Sequence, residues 1–100
     1  MDEYRVELNE QAQRDIELIF IHIAVDRLAP ENAKAQTDRI YKKLKTLESF
    51  PYSHPKRTKG VYAGKDYRQL VIDNYVALYR VDEATKTVHI VTIQYQSRNI

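Results

Sequence analysis

No cysteine occurs in the 100 residues, so the chain has neither a disulfide framework nor a thiolate metal site, which fits a reducing cytoplasm. Tryptophan is absent, and only two glycines, Gly60 and Gly64, and three prolines punctuate the chain. With so little glycine there is no phosphate-cradling loop of the nucleotide-binding kind. No stretch reads as a linker, so residues 1–100 are expected to form one domain of ordinary size. No apolar run approaches the roughly 18 residues of a membrane span, and the opening MDEYRVEL is too charged for a secretory leader. Membrane association is not expected. His22, His54 and His89 are scattered without paired carboxylates, which gives no metal-ligand spacing. No metal and no cofactor are expected.

What is present is an uneven distribution of charge. Residues 1–50 carry eight Lys/Arg against ten Asp/Glu, whereas residues 51–100 carry eight against four. Between residues 54 and 68, Lys56, Arg57, Lys59, Lys65 and Arg68 meet a single anion, Asp66, and Tyr62 and Tyr67 are interleaved. Cations track phosphates and aromatic rings stack on bases, so this stretch has the composition of a nucleic-acid footprint, with His54 at its start. The competing reading is a solvated, lysine-rich loop.

Periodicity supplies the elements. Residues 4–8 (YRVEL) alternate as a short strand with Tyr4, Val6 and Leu8 on one face. Asn9 then suits a helix N-cap, and Ala12, Ile16, Ile19, Phe20 and Ile23 recur at helical steps to about Arg27 as one apolar stripe. Pro30 opens a second helix with Glu31 near its positive end. Ala33, Thr37, Ile40, Leu44 and Leu47 continue it until Phe50-Pro51 closes it. The short connection pairs the two as an antiparallel hairpin. Beyond Pro51 the period becomes two. Leu70 and Ile72 share one strand face, Asp73-Asn74 makes a turn, Val76 and Leu78 share parity on the next strand, and residues 82–86 turn into a third strand ending near Tyr95. The first strand must join the later ones to satisfy its backbone. The expected class is α+β in the order β-α-α-β-β-β, a small, mainly antiparallel sheet packed on a helical hairpin with its other face partly open.

This order and its punctuation resemble the RelE/ParE family of toxins from bacterial type II toxin–antitoxin systems. The resemblance rests on Ala12, Asp15, Ile16, Ile19, Ile23 and Ala24; on Leu47-Glu48-Ser49-Phe50-Pro51; on Arg68 leading into Val71-Ile72-Asp73-Asn74-Tyr75; on Tyr79-Arg80-Val81-Asp82-Glu83; and on Ile93-Gln94-Tyr95-Gln96-Ser97-Arg98. Each motif is short, but together they span nearly the whole chain.

The resemblance implies a cytoplasmic toxin neutralised by a cognate antitoxin, in complexes up to a toxin–antitoxin heterotetramer. It implies one of two targets: the ribosome with its mRNA, cut by an endoribonuclease (mRNA interferase), or DNA gyrase, bound without nuclease activity. A small non-toxic interaction module is a third reading. Cleavage requires activation of a ribose 2′-hydroxyl, protonation of the leaving oxygen and neutralisation of the phosphorus-centred transition state. Arginine suits the last task because its planar fork stays charged and binds phosphate bidentately. Arg68, Arg80 and Arg98 are the expected catalytic arginines, Tyr95 the expected stacking or proton-transfer group, and His54, Lys56, Arg57, Lys59 and Lys65 the expected RNA-binding residues. mRNA cleavage is the first expectation. The usual set is matched only in part: Gln69 stands where a ribosome-dependent member has a lysine, Val76 follows Tyr75 where an arginine is usual, and no tyrosine follows Tyr95.

Overall fold

The computed structural model describes residues 3–98 and residue 100. The elements follow the expected order: β1 (Arg5–Leu8), α1 (Glu10–Ile21), α2 (Pro30–Lys45), β2 (Arg68–Ile72), β3 (Tyr75–Asp82) and β4 (Thr87–Tyr95). Asn9 caps α1, its side chain accepting the Ala12 N–H at 2.9 Å and so satisfying one of the donors a helix start leaves unpaired. Beyond Ile21 the helix loosens into a π-helical turn, His22–Asp26. Pro30 then occupies the first turn of α2, where its missing N–H costs nothing. A 3-10 turn, Thr46–Glu48, closes α2.

The four strands form one sheet in the order β1-β4-β3-β2. β1 finds its partner in β4 and runs parallel to it, while β4–β3 and β3–β2 are antiparallel. One face carries the core: Leu70, Ile72, Tyr75, Ala77, Tyr79, Val88, Ile90 and Ile93 pack with Ala12, Ile16 and Ile19 of α1 and Ile40 and Leu44 of α2. Val76 and Leu78 have the opposite parity, yet both are buried as well. The second face is therefore only partly open.

Two local devices set the register. Leu78 pairs with Thr92 while Tyr79 pairs with Ile90, so Val91 is the extra residue of a β-bulge. The bulge explains how Ile90 and Ile93, three residues apart, both reach the core. The second device concerns the edge of β4. β1 ends opposite Ile90, and beyond it the edge of β4 is covered by α1, whose buried Asp15 accepts the Ile93 N–H at 3.0 Å and the Thr92 hydroxyl at 2.6 Å. A strand edge running past its neighbour is thus satisfied by a side chain.

Candidate functional site

The candidate residues are positioned by three parts of the sheet. Arg68 opens β2, and its guanidinium donates to the His54 carbonyl at 2.8 Å and lies 5.1 Å from the centre of the Tyr52 ring. Behind it stands a polar cluster that sequence reasoning missed. Glu83 accepts from the hydroxyls of Tyr4 and Tyr52 and from the Lys86 ammonium. These bonds, Lys86 first, hold the Glu83 carboxyl down at about 2, and the same contact pushes the Tyr52 hydroxyl up to about 12. Burial raises Tyr79 to about 12, the nearby Arg68 charge opposing it. Its hydroxyl donates to the Pro51 carbonyl at 2.8 Å and so ties down the start of the basic loop.

That loop divides into buried and exposed cations. Its first residues pair with the outer edge of β2: Gln69 N–H donates to the Pro55 carbonyl, and Arg57 N–H to the Tyr67 carbonyl. Arg57 is only 5% exposed. Its guanidinium binds the Lys59 carbonyl, the Gln69 side chain and the Ile100 carbonyl at 3.1, 3.1 and 3.2 Å. It therefore organises the loop from within instead of lying on its outer surface, as an RNA contact would. Gly60 makes this seat possible, since at its φ of 78° an added Cβ would fall 1.7 Å from the Ile100 carbonyl oxygen. Gln69 pairs with Leu78, which puts Arg57 over the sheet face that bears Leu78 and turns away from the helices. Lys56 pairs with Asp66 at 3.1 Å. His54 is partly buried against the edge of Tyr79, and burial, aided by Lys43, lowers its pKa. Lys59 and Lys65 are exposed.

Tyr95 and Arg98 lie together at the opposite end of the sheet. The Tyr95 ring stacks on Tyr75 with centroids 4.7 Å apart, and Arg98 donates to the Gln94 side chain at 3.1 Å. Both line a cleft of about 150 Å³ against α1, with Asp15, Leu18 and His22 among its walls. Burial and the Tyr95 hydroxyl raise the pKa of Tyr75, while the charge of Arg27 opposes them. His22 Nδ1 lies 3.1 Å from an Asp26 carboxylate oxygen.

Arg68 and Tyr95 are thus not brought together. Their rows in the sheet, marked by Tyr79 and Tyr75 of β3, are four residues apart, about 13 Å at about 3.3 Å per residue. Arg80 shares its parity with Val76 and Leu78 and pairs with His89, so it projects from the face opposite Arg68, exposed to solvent.

The family model described as "ParE toxin of type II toxin-antitoxin system, parDE" matches residues 6–100. Among solved structures, the chain is similar to a chromosomal ParDE toxin–antitoxin system from P. aeruginosa, with a TM-score of 0.77, 22% identity, and coverage of 93% of this chain and 96% of that one. It is similar also to the RelE–RelB complex of Pyrococcus horikoshii (TM-score 0.66, 17% identity, 96% and 98% covered). A third similar structure is the RelBE2 complex of Mycobacterium tuberculosis (0.64, 21%, 94% and 99%). No curated protein matches by sequence. These likenesses establish the fold; at such identities they carry no residue roles.

Proposed function

The chain belongs to the ParE toxin family of type II toxin–antitoxin systems, and from that membership we propose that it arrests growth by binding DNA gyrase rather than by cutting mRNA. It is a toxin, and its partner is a cognate antitoxin. One observation carries the choice of target. The residues expected to cut RNA fall in three places: Arg68 at the start of β2, Arg80 on the opposite face, and Tyr95 with Arg98 four rows away. Concerted cleavage of one phosphodiester needs its acid, base and charge-neutralising groups within hydrogen-bond reach of the same few atoms. A binding toxin has no such requirement, because dispersed cations act together over a broad contact. The exposed Arg80, Arg98, Lys59 and Lys65 are the residues we assign to that contact.

The test pairs two assays. Purified toxin should inhibit supercoiling by gyrase and trap gyrase–DNA complexes, while primer extension after induction in cells should find transcripts intact. Codon-dependent cuts with unimpaired supercoiling would reverse the assignment.

mRNA cleavage is the second reading, and one observation favours it. Tyr95 and Arg98, two of the four expected catalytic residues, do share a cleft, and His22 with its Asp26 partner stands at its wall. If RNA is cut, that cleft is where we place the cut, with His22 added to the set.

A further inference from the structure

The end of α2 carries cations that neither the core nor the gyrase contact assigned above uses. The buried stripe of this helix is Ala33, Thr37, Ile40 and Leu44. At 100° per residue Arg39, Lys42 and Lys43 fall within one arc of about 100° beside that stripe. Asp38, one turn before Lys42, is taken up by Lys34 at 2.7 Å. The arc borders a groove of about 370 Å³ between α2 and the β2–β3 turn, lined by the three cations with Thr46, Ile72 and Asp73. Asp73 is its one carboxylate and is already engaged, accepting from Arg39 at 2.8 Å and from Gln36 at 3.0 Å. These bonds, Arg39 first, hold the Asp73 carboxyl below its usual range, and the charge of Lys43 adds to them. Among the described residues neither Lys42 nor Lys43 has a carboxylate within ion-pair distance, and both are exposed. The negative pole of a helix favours lysines in its last turn, but that pull does not explain a groove whose cations outnumber its anions three to one.

Two free ammoniums beside a fixed guanidinium suit a run of phosphates, each lysine acting as a mobile point charge on the backbone. The place of the groove says which backbone. Ile72, Tyr75 and Tyr95 form one row across the sheet, and Gln96 donates to the Asp73 carbonyl at 2.6 Å. The groove therefore lies at the Arg98 end of the sheet, beside a residue assigned to the gyrase contact, where the polyanion at hand is the DNA that gyrase holds. We propose that the groove between α2 and the β2–β3 turn is a DNA-backbone site, in which Lys42 and Lys43 hold phosphates of that duplex while Arg39, fixed by Asp73, lends its charge. This rests on the gyrase reading and adds DNA as a second component that the toxin itself touches. Contacts to phosphate carry no sequence information, so any duplex should serve.

The probe is a short fluorescent DNA duplex, titrated with the full toxin chain in the absence of gyrase over a range of salt concentrations. Lys42→Ala combined with Lys43→Ala should flatten the slope of log affinity against log salt by about two, a loss of about sixtyfold at about 0.1 M salt relative to 1 M. The loss should be the same for two duplexes of unrelated sequence. Asp73→Asn should have the opposite sign. Asparagine tolerates the φ of 54° at this position, keeps an acceptor for Arg39 and removes the negative charge of the groove, so binding should tighten, which damage to the fold would not produce. Equal affinity of the wild type and the lysine variant overturns the site, as does a toxin that inhibits supercoiling but binds no duplex; either result leaves the gyrase reading standing. Tighter binding of single-stranded RNA of the same length, lost in the lysine variant, overturns it in favour of RNA. If the toxin neither binds the duplex nor inhibits supercoiling, the gyrase reading falls together with it.

Discussion

The carboxylate of Asp15, on α1, receives the backbone N–H of Ile93, 78 residues away on β4. The same oxygen accepts from Thr92, and the other carboxylate oxygen from Gln11. Helix and sheet are therefore joined by hydrogen bonds as well as by apolar packing. Asp15→Ala strands the Ile93 N–H at a buried edge and should cost about 2–4 kcal/mol, read as a lower urea midpoint. Asp15→Asn retains one acceptor and should cost about half as much. Equal stability of the alanine variant and the wild type would show that water replaces the carboxylate.

The two glycines make a matched pair. Both have positive φ, but a Cβ on Gly64 meets nothing within 4 Å, whereas one on Gly60 collides with the Ile100 carbonyl. Gly64→Ala should cost only the backbone term, about 1 kcal/mol. Gly60→Ala should cost more and should also expel residue 100, which takes one acceptor from Arg57 and speeds exchange around Leu78. If the two substitutions prove equivalent, residue 100 does not occupy the seat in solution.

Acid should act through Glu83. Its folded pKa, about 2, lies below the ordinary 4.5. The stabilisation it supplies is therefore complete above about 4.5 and is lost as the pH falls toward 2. Glu83→Gln should be less stable than the wild type at neutral pH, and the gap should close on acidification across that window. Tyr52 gives the alkaline counterpart. Its pKa is raised from 10.0 to about 12, so its contribution is present below 10.0 and lost as the pH climbs through about 12. In Glu83→Gln the Tyr52 phenolate absorbance should emerge at lower pH.

Arginines that look alike in the sequence should respond in opposite ways. Arg57→Ala removes three partly buried hydrogen bonds and should lower stability by about 2–3 kcal/mol. Arg80→Ala combined with Arg98→Ala lies on the exposed surface and should change stability by less than about 1 kcal/mol, while growth arrest and gyrase inhibition fall sharply. Full toxicity in the Arg80/Arg98 double variant would remove both from the target contact.

The order of elements is legible in the sequence because local rules decide it. Asn9 can cap only a helix that starts at the next residue, Pro30 belongs in a first turn, and the alternation at Leu70 and Ile72 requires a strand. The pairing of β1 with β4 in parallel is less legible, because partner and direction are chosen by packing across the whole chain. Parity presents the same problem in β3. Val76 and Leu78 alternate as a core face should, yet the helices cover Tyr75, Ala77 and Tyr79, and both sets are buried because the strand is central. Nothing in the composition of the loop separates buried Arg57 from exposed Lys59, since the difference is made by Gln69 and residue 100. The bulge at Val91 carries no glycine or proline to announce it.

The parallel pairing of β1 with β4 also sets the timing of assembly. Arg5 and Thr87 are neighbours in the sheet although 82 residues separate them along the chain. β4 is both the last strand and an interior one, holding β1 on one side and β3 on the other. While the chain is being made, β1 has no partner and Asp15 no N–H to receive until β4 has emerged from the ribosome. A nascent or truncated chain ending before β4 cannot close the sheet, so folding must wait until β4 has been made. For a growth-arresting protein, that delay means no harmful surface is complete until β4 has taken its place between β1 and β3.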